Sequence, residues 1–120
     1  MSCLFNSLSY FLNIPSSTIR QTICNYLEEN KPLFDDLYTN VVIGLDSLPD
    51  NYIQNMRRES TWGGAIEIKA ACIIWNLNVT VHNTRDGNAK RIVFRPLNLH
   101  DATTKDITLE WSGGHYSPVH

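Results

Sequence analysis

Apolar residues in this chain change their spacing once, near residue 76, and that change limits the fold more than any other feature. Before it they recur three or four positions apart, as on one face of a helix; after it they alternate, as on one face of a strand. Leu4, Phe5, Leu8, Tyr10, Phe11 and Leu12 predict a first helix, capped by Ser2 and running to about Asn13. Pro15 followed by Ser16, Ser17 and Thr18 closes it and opens a second helix. Its apolar face is Ile19, Ile23, Tyr26 and Leu27, with Cys24 beside that face, up to an Asn30-Lys31-Pro32 stop. Residues Leu33 to Pro49 are less decided: Asp35 and Asp36 suit the opening of a short helix, and Val41 to Leu45 fit strand or loop. Tyr52 to Arg58 carries a short helical pattern. Thr61-Trp62-Gly63-Gly64 then breaks the chain before a strongly apolar helix from Ala65 to Trp75.

Four strands are expected beyond that point, at Asn78 to Asn83, Arg91 to Arg95, Ile107 to Trp111 and His115 to Val119, all rich in Val, Ile, Thr and aromatics. Asp86-Gly87-Asn88 has the chemistry of a turn between the first two, and Gly113-Gly114 allows a close reversal into the last. Helices followed by a meandering sheet define an α+β class. The 120 residues suit one domain spanning residues 1–120, with no repeat, low-complexity run or linker.

Composition excludes several functions. Hydrophobic residues make up 42% and charged residues 18%, enough apolar surface to build a core. The net charge of −2 and a single Arg57-Arg58 doublet, followed at once by Glu59, leave no broad basic surface for nucleic acid. The apolar start lacks a Lys or Arg before it and is interrupted by Asn6, Ser7, Ser9 and Asn13, so it reads as a buried helix rather than a signal peptide. No stretch approaches a membrane span, the longest candidate being Ala70 to Trp75. Cys3, Cys24 and Cys72 are odd in number and widely spaced. That fits neither a disulfide framework nor a paired-Cys zinc site, so no metal or cofactor is expected and the cytosol is the natural compartment.

Cys3 falls in the first turn of the first helix, where unpaired backbone N–H groups favour a thiolate and can also serve an oxyanion. His115 opens a strand directly after two glycines, where little bulk obstructs an imidazole. Taken alone, a Cys on an apolar helix reads more readily as a small buried hydrophobe. His82, His100 and His120 also compete with His115.

Three blocks in order are more specific. Ser2-Cys3-Leu4-Phe5 with Ser7-Leu8 resembles the nucleophile motif Asp-Gly-Asn/Ser-Cys-Leu-Phe of the ovarian-tumour (OTU) deubiquitinases. Trp62-Gly63-Gly64 with Glu67-Ile68 and Ala70 is similar to that family's Trp-Gly-Gly turn and Glu-Leu-x-Ala helix. Gly114-His115-Tyr116-Ser117-Pro118-Val119 resembles its closing Gly-x-His-Tyr-x-x-Val strand. The resemblance spans nearly the whole chain. It implies a papain-like OTU fold, with N-terminal helices on a small, mainly antiparallel sheet.

It further implies a cysteine deubiquitinase acting on ubiquitin or ubiquitin-like modifiers as a monomer, with Cys3 as nucleophile and His115 as general base and acid. Trp62 and Gly114 would line the substrate channel, the alternative for Trp62 being a core aromatic at a helix junction. Glu67 is expected to cap or pair structurally. Two positions depart from the family pattern. Met1 stands where Gly is expected and the Asp before it has no place, while the residue two after the His, often Asp or Asn, is Ser117. Ser117 is the expected orienting residue. The chain is read as an excerpt whose upstream residues supply the Asp, the alternative being a complete protein with weakened catalysis. The short connections between blocks suit the small OTU domains of viruses and mobile elements.

Overall fold

A computed structural model describes residues 3–45, 48–49, 51–84, 90–97 and 103–119. Helix α1 (Cys3–Leu12) and helix α2 (Ser16–Glu28) form where the helical spacing predicts them, burying Leu4, Phe5 and Leu8 against Ile19, Ile23 and Leu27. Asn13 ends α1 in the left-handed region, and Pro15 sets the entry to α2. The expected Ser2 cap and the Asp86-Gly87-Asn88 turn lie outside the described residues. Tyr10 does not join the apolar face: it is 56% exposed, with its ring edge-on to Phe11.

The undecided region resolves differently from its sequence reading. β1 (Pro32–Phe34) and β2 (Leu37–Tyr38) form a short antiparallel hairpin, and Asp36, at positive φ, makes its turn. Asp35 and Asp36 therefore open no helix. An acidic pair serves a turn as well as a cap, because a short polar side chain tolerates the left-handed region. Val41 to Leu45 is neither strand nor loop but part of helix α3 (Thr39–Leu45). Helix α4 (Tyr52–Met56) and helix α5 (Ala65–Trp75) follow, the latter ending at a left-handed Asn76 whose N–H bonds the Cys72 carbonyl.

Strands β3 (Leu77–Asn83), β4 (Lys90–Phe94), β5 (Lys105–Trp111) and β6 (Tyr116–Val119) build one mixed sheet in the order β4-β3-β5-β6. Two of its three pairings are antiparallel, but β3 and β5 run parallel, so the sheet is not a meander. The reason lies in burial. Leu77, Val79 and Val81 of β3 are buried and need a neighbour on each side, whereas Arg91, Ile92 and Val93 of β4 are exposed and suit an edge. After pairing with β3, β4 remains at one edge and the chain crosses to the other side of β3. At the opposite edge, helix α1 packs along β6.

Candidate active site

Cys3 is the first residue of α1 and is held there by packing on both sides of its backbone. Ser7, buried, donates its hydroxyl to the Cys3 carbonyl at 2.8 Å. Beneath, Gly63 lies so close that a Cβ there would come 2.7 Å from Leu4 Cδ2 and 3.0 Å from the Phe5 ring. The 62–64 turn thus presses directly on the helix that carries the thiol. Arg20 ties the two together. Its buried guanidinium stacks 4.1 Å over Phe5 and donates to the carbonyls of Met56, Thr61 and Glu59 at 2.8, 2.9 and 3.3 Å. Burial lowers the pKa of Arg20, and the nearby acidic groups act against that.

Glu67 holds the other end of the turn. One carboxylate oxygen accepts the Gly64 N–H at 2.7 Å and the other accepts the Tyr52 hydroxyl at 2.6 Å, as the capping expectation required. The carboxyl is fully buried, and desolvation raises its pKa despite both hydrogen bonds.

Across from α1, the chain reverses through Gly113 and Gly114, both at positive φ, into β6. Tyr116 donates its backbone N–H to Cys3 Sγ at 3.4 Å, a contact between residues 113 positions apart. An N–H aimed at sulfur stabilises negative charge there. Burial, then charge on Cys3 and Glu67, pushes the Tyr116 phenol above its ordinary value. His115 is exposed and accepts the Ser112 N–H on its carbonyl, which closes the turn.

The candidate catalytic, orienting and channel residues of the sequence, Cys3, His115, Ser117, Trp62 and Gly114, line a single pocket of about 490 Å³. Trp62 is 51% exposed, so it is not a core aromatic. A Cβ on Gly114 would come 3.0 Å from Trp62 Cζ3, leaving the ring and the glycine in contact beside His115. The pocket also takes Asn6 and Tyr10, which the sequence reading did not single out. They stand three and seven residues after Cys3, the spacing that puts side chains on one helical face, and that spacing was the available signal.

The other thiols differ sharply. Cys24 and Cys72 are fully buried, and desolvation pushes them up to about 11 and about 12. Among the described residues no group of three His, Cys, Asp or Glu is placed to hold a metal ion, and no helix is long and apolar enough to cross a membrane.

A cysteine at the head of a helix, sharing one pocket with a histidine that immediately precedes the edge strand of a small sheet, is the arrangement of a thiol protease. The family model for OTU-like cysteine proteases matches residues 2–118, and the chain belongs to that family. It is 29% identical over 124 aligned positions to ubiquitin thioesterase OTU1 of Rattus norvegicus, covering 98% of this chain and 33% of that protein. To the OTU1 of Xenopus laevis it is 26% identical, covering 98% of this chain and 37% of that one. The chain therefore spans about a third of the length of the curated relatives it matches.

Among solved structures, the OTU domain of OTUD1 superposes with a TM-score of 0.76 at 17% identity, over 99% of this chain and 79% of that one. An OTU domain solved in complex with ubiquitin gives 0.73 at 21% identity, over 98% and 62%. The viral OTU protease of Dera Ghazi Khan virus gives 0.67 at 20%, over 98% and 72%. The α+β fold is that of OTU domains.

Proposed function

We propose that this chain is a cysteine deubiquitinase, cleaving the isopeptide bond at the C-terminal glycine of ubiquitin. The observation that carries the reading is the placement of Cys3 Sγ at the head of α1, against the Tyr116 N–H and in one pocket with His115. Cys3 attacks the carbonyl as a thiolate, with charge on the carbonyl oxygen stabilised by N–H groups at the helix start. His115 gives its proton to the departing lysine amine and later takes one from the water that hydrolyses the thioester. The contact between Trp62 and Gly114 supports a slim, glycine-ended substrate, since it leaves little room for side chains beside the imidazole.

The relatives named above as ubiquitin thioesterases support ubiquitin as partner, with ubiquitin-like modifiers as further substrates of the same chemistry. Three free thiols support a reducing compartment, and the short connections between blocks support a viral or mobile-element source acting in the host cytoplasm as a monomer.

The test is hydrolysis of a ubiquitin C-terminal amide together with labelling by a thiol-reactive ubiquitin probe. Cys3→Ala abolishes both; undiminished labelling in that variant removes the proposal. Ser117, neutral where relatives of this pattern often carry an acid, favours a second reading, a silent module that binds ubiquitin without turnover. Saturable binding with no hydrolysis at any pH selects it.

A further inference from the structure

A strand at the edge of a sheet leaves a row of backbone N–H and C=O groups unpaired, a template on which another chain can add a strand. Among the described residues, β4 pairs with β3 alone. Ile92 and Val93 follow one another on β4, so their side chains point to opposite faces, yet they are 54% and 46% exposed. The edge is therefore apolar on both faces. Around it stand Lys90, Arg91 and Arg95, all exposed. Three of the ten Lys and Arg of a chain with net charge −2 thus fall within residues 90–95, a run that holds no acid.

Beside this strand lies a hollow of about 370 Å³ that shares no lining residue with the pocket of Cys3. Val93, Phe94, Arg95 and Pro96 form one wall, and Phe34 and Lys69 stand opposite. No residue of β3 lines it, so it follows the free side of β4. Lys69, on α5, is only 9% exposed. Its ammonium donates to the Arg95 carbonyl and stands 5.0 Å over the Phe34 ring. An ammonium has three N–H donors, and among the described residues no carboxylate comes within ion-pair distance of this one. Asp35, also on the lining, acts on it only through space: with Cys72 it opposes the lowering of the Lys69 pKa by burial. A buried cation without a paired anion is costly, so the hollow suits an acceptor that arrives from outside.

We propose that β4 is a docking edge for an extended acidic segment of a partner protein, which adds as a fifth strand beside β4 and sends one carboxylate into the hollow to meet Lys69. Strand addition draws affinity from backbone hydrogen bonds and specificity from pockets that take alternate side chains. Charge names the occupant. Asp or Glu opposite Arg91 and Arg95 forms favourable cross-strand pairs, and β-branched residues suit Ile92 and Val93. A second copy of this chain fits less well, because pairing two β4 strands gathers both sets of the same cations on one short ladder. The inference is independent of the catalytic reading of Cys3.

The probe is a fluorescein-labelled octapeptide of alternating Asp and Val, compared with its Asn-Val counterpart by fluorescence polarisation against the full chain. The Asp-Val peptide binds, the Asn-Val peptide binds roughly tenfold more weakly or worse, and added salt narrows the gap. Lys69→Met weakens the Asp-Val peptide by roughly tenfold, the scale of one charge-assisted hydrogen bond, while unfolding in urea as cooperatively as wild type. Amide hydrogen exchange separates strand addition from mere charge attraction: the bound peptide slows exchange at alternate residues of β4, those whose N–H groups face away from β3. Failure of the Asp-Val peptide to bind, equal binding of the two peptides, or exchange along β4 that the bound peptide leaves unmoved overturns the inference. So does protection of β4 that grows with protein concentration alone, the mark of self-pairing, or a folded Lys69→Met chain that binds as wild type does. The peptide comparison and the exchange pattern decide the matter even where Lys69→Met fails to fold.

Discussion

Trp62 and Gly114 stand in contact across the pocket, from segments 52 positions apart, so close that a methyl group on Gly114 would come 3.0 Å from the ring. The glycine is needed twice, because its φ of +106° is one that side chains rarely adopt. Gly114→Ala is expected to cost about 1–3 kcal/mol in urea-unfolding stability and roughly tenfold or more in kcat/KM through displacement of His115. Adding Trp62→Ala relieves the collision but not the backbone strain. The double variant should recover activity in part while remaining less stable than wild type.

Arg20 should matter to the site despite lying beneath it. Replacing it with Leu leaves the carbonyls of Met56, Glu59 and Thr61 without their donor and takes away the cation over Phe5. A loss of about 1–3 kcal/mol is expected, since that is the cost of leaving the buried Met56 carbonyl unpaired. Arg20→Lys recovers little, because a single ammonium cannot reproduce a planar fork. Chemical denaturation of the two variants measures both.

Glu67 makes stability depend on pH with a definite sign. Its folded-state pKa is raised, chiefly by desolvation, so between the ordinary carboxyl value and the raised one the folded chain holds a proton that the unfolded chain has released. The contribution of this group to stability therefore falls as pH rises through that window and is constant above it. Glu67→Gln removes the titration while leaving an amide oxygen for the Gly64 N–H. Measured from pH 4 upward, the stability of wild type relative to Glu67→Gln should decline and then level off; a parallel pair of curves contradicts it.

Alkylation should separate the three cysteines. At neutral pH, iodoacetamide should modify Cys3, which lines an open pocket, while Cys24 and Cys72 stay unmodified until the chain is unfolded. Mass spectrometry of native and urea-treated protein checks this directly. Modification of Cys72 under native conditions contradicts the placement of α5 against the sheet.

Local spacing carried much of this fold. The limits of α5 match those read from the Ala65 to Trp75 pattern, and β3 to β6 fall within two residues of the alternating runs. Pairing was not legible in the same way, because the parallel match of β3 with β5 is decided by which strand needs two neighbours, a property of the assembled sheet. The Asp35-Asp36 turn was missed because one polar pair suits two local structures. Cys3 and His115 were visible through ordered motifs, and Asn6 and Tyr10 through helical period had it been applied. Arg20 was not visible, since its acceptors are backbone carbonyls that carry no sequence signature.

The contact of the Tyr116 N–H with Cys3 Sγ joins the first helix to the last strand. In N- to C-terminal synthesis Cys3 emerges 113 positions ahead of Tyr116, so the contact cannot form until the strand carrying that amide has been made. The sulfur gains this neighbour only when β6 docks beside α1, so the contact reports that the first helix and the edge strand have met.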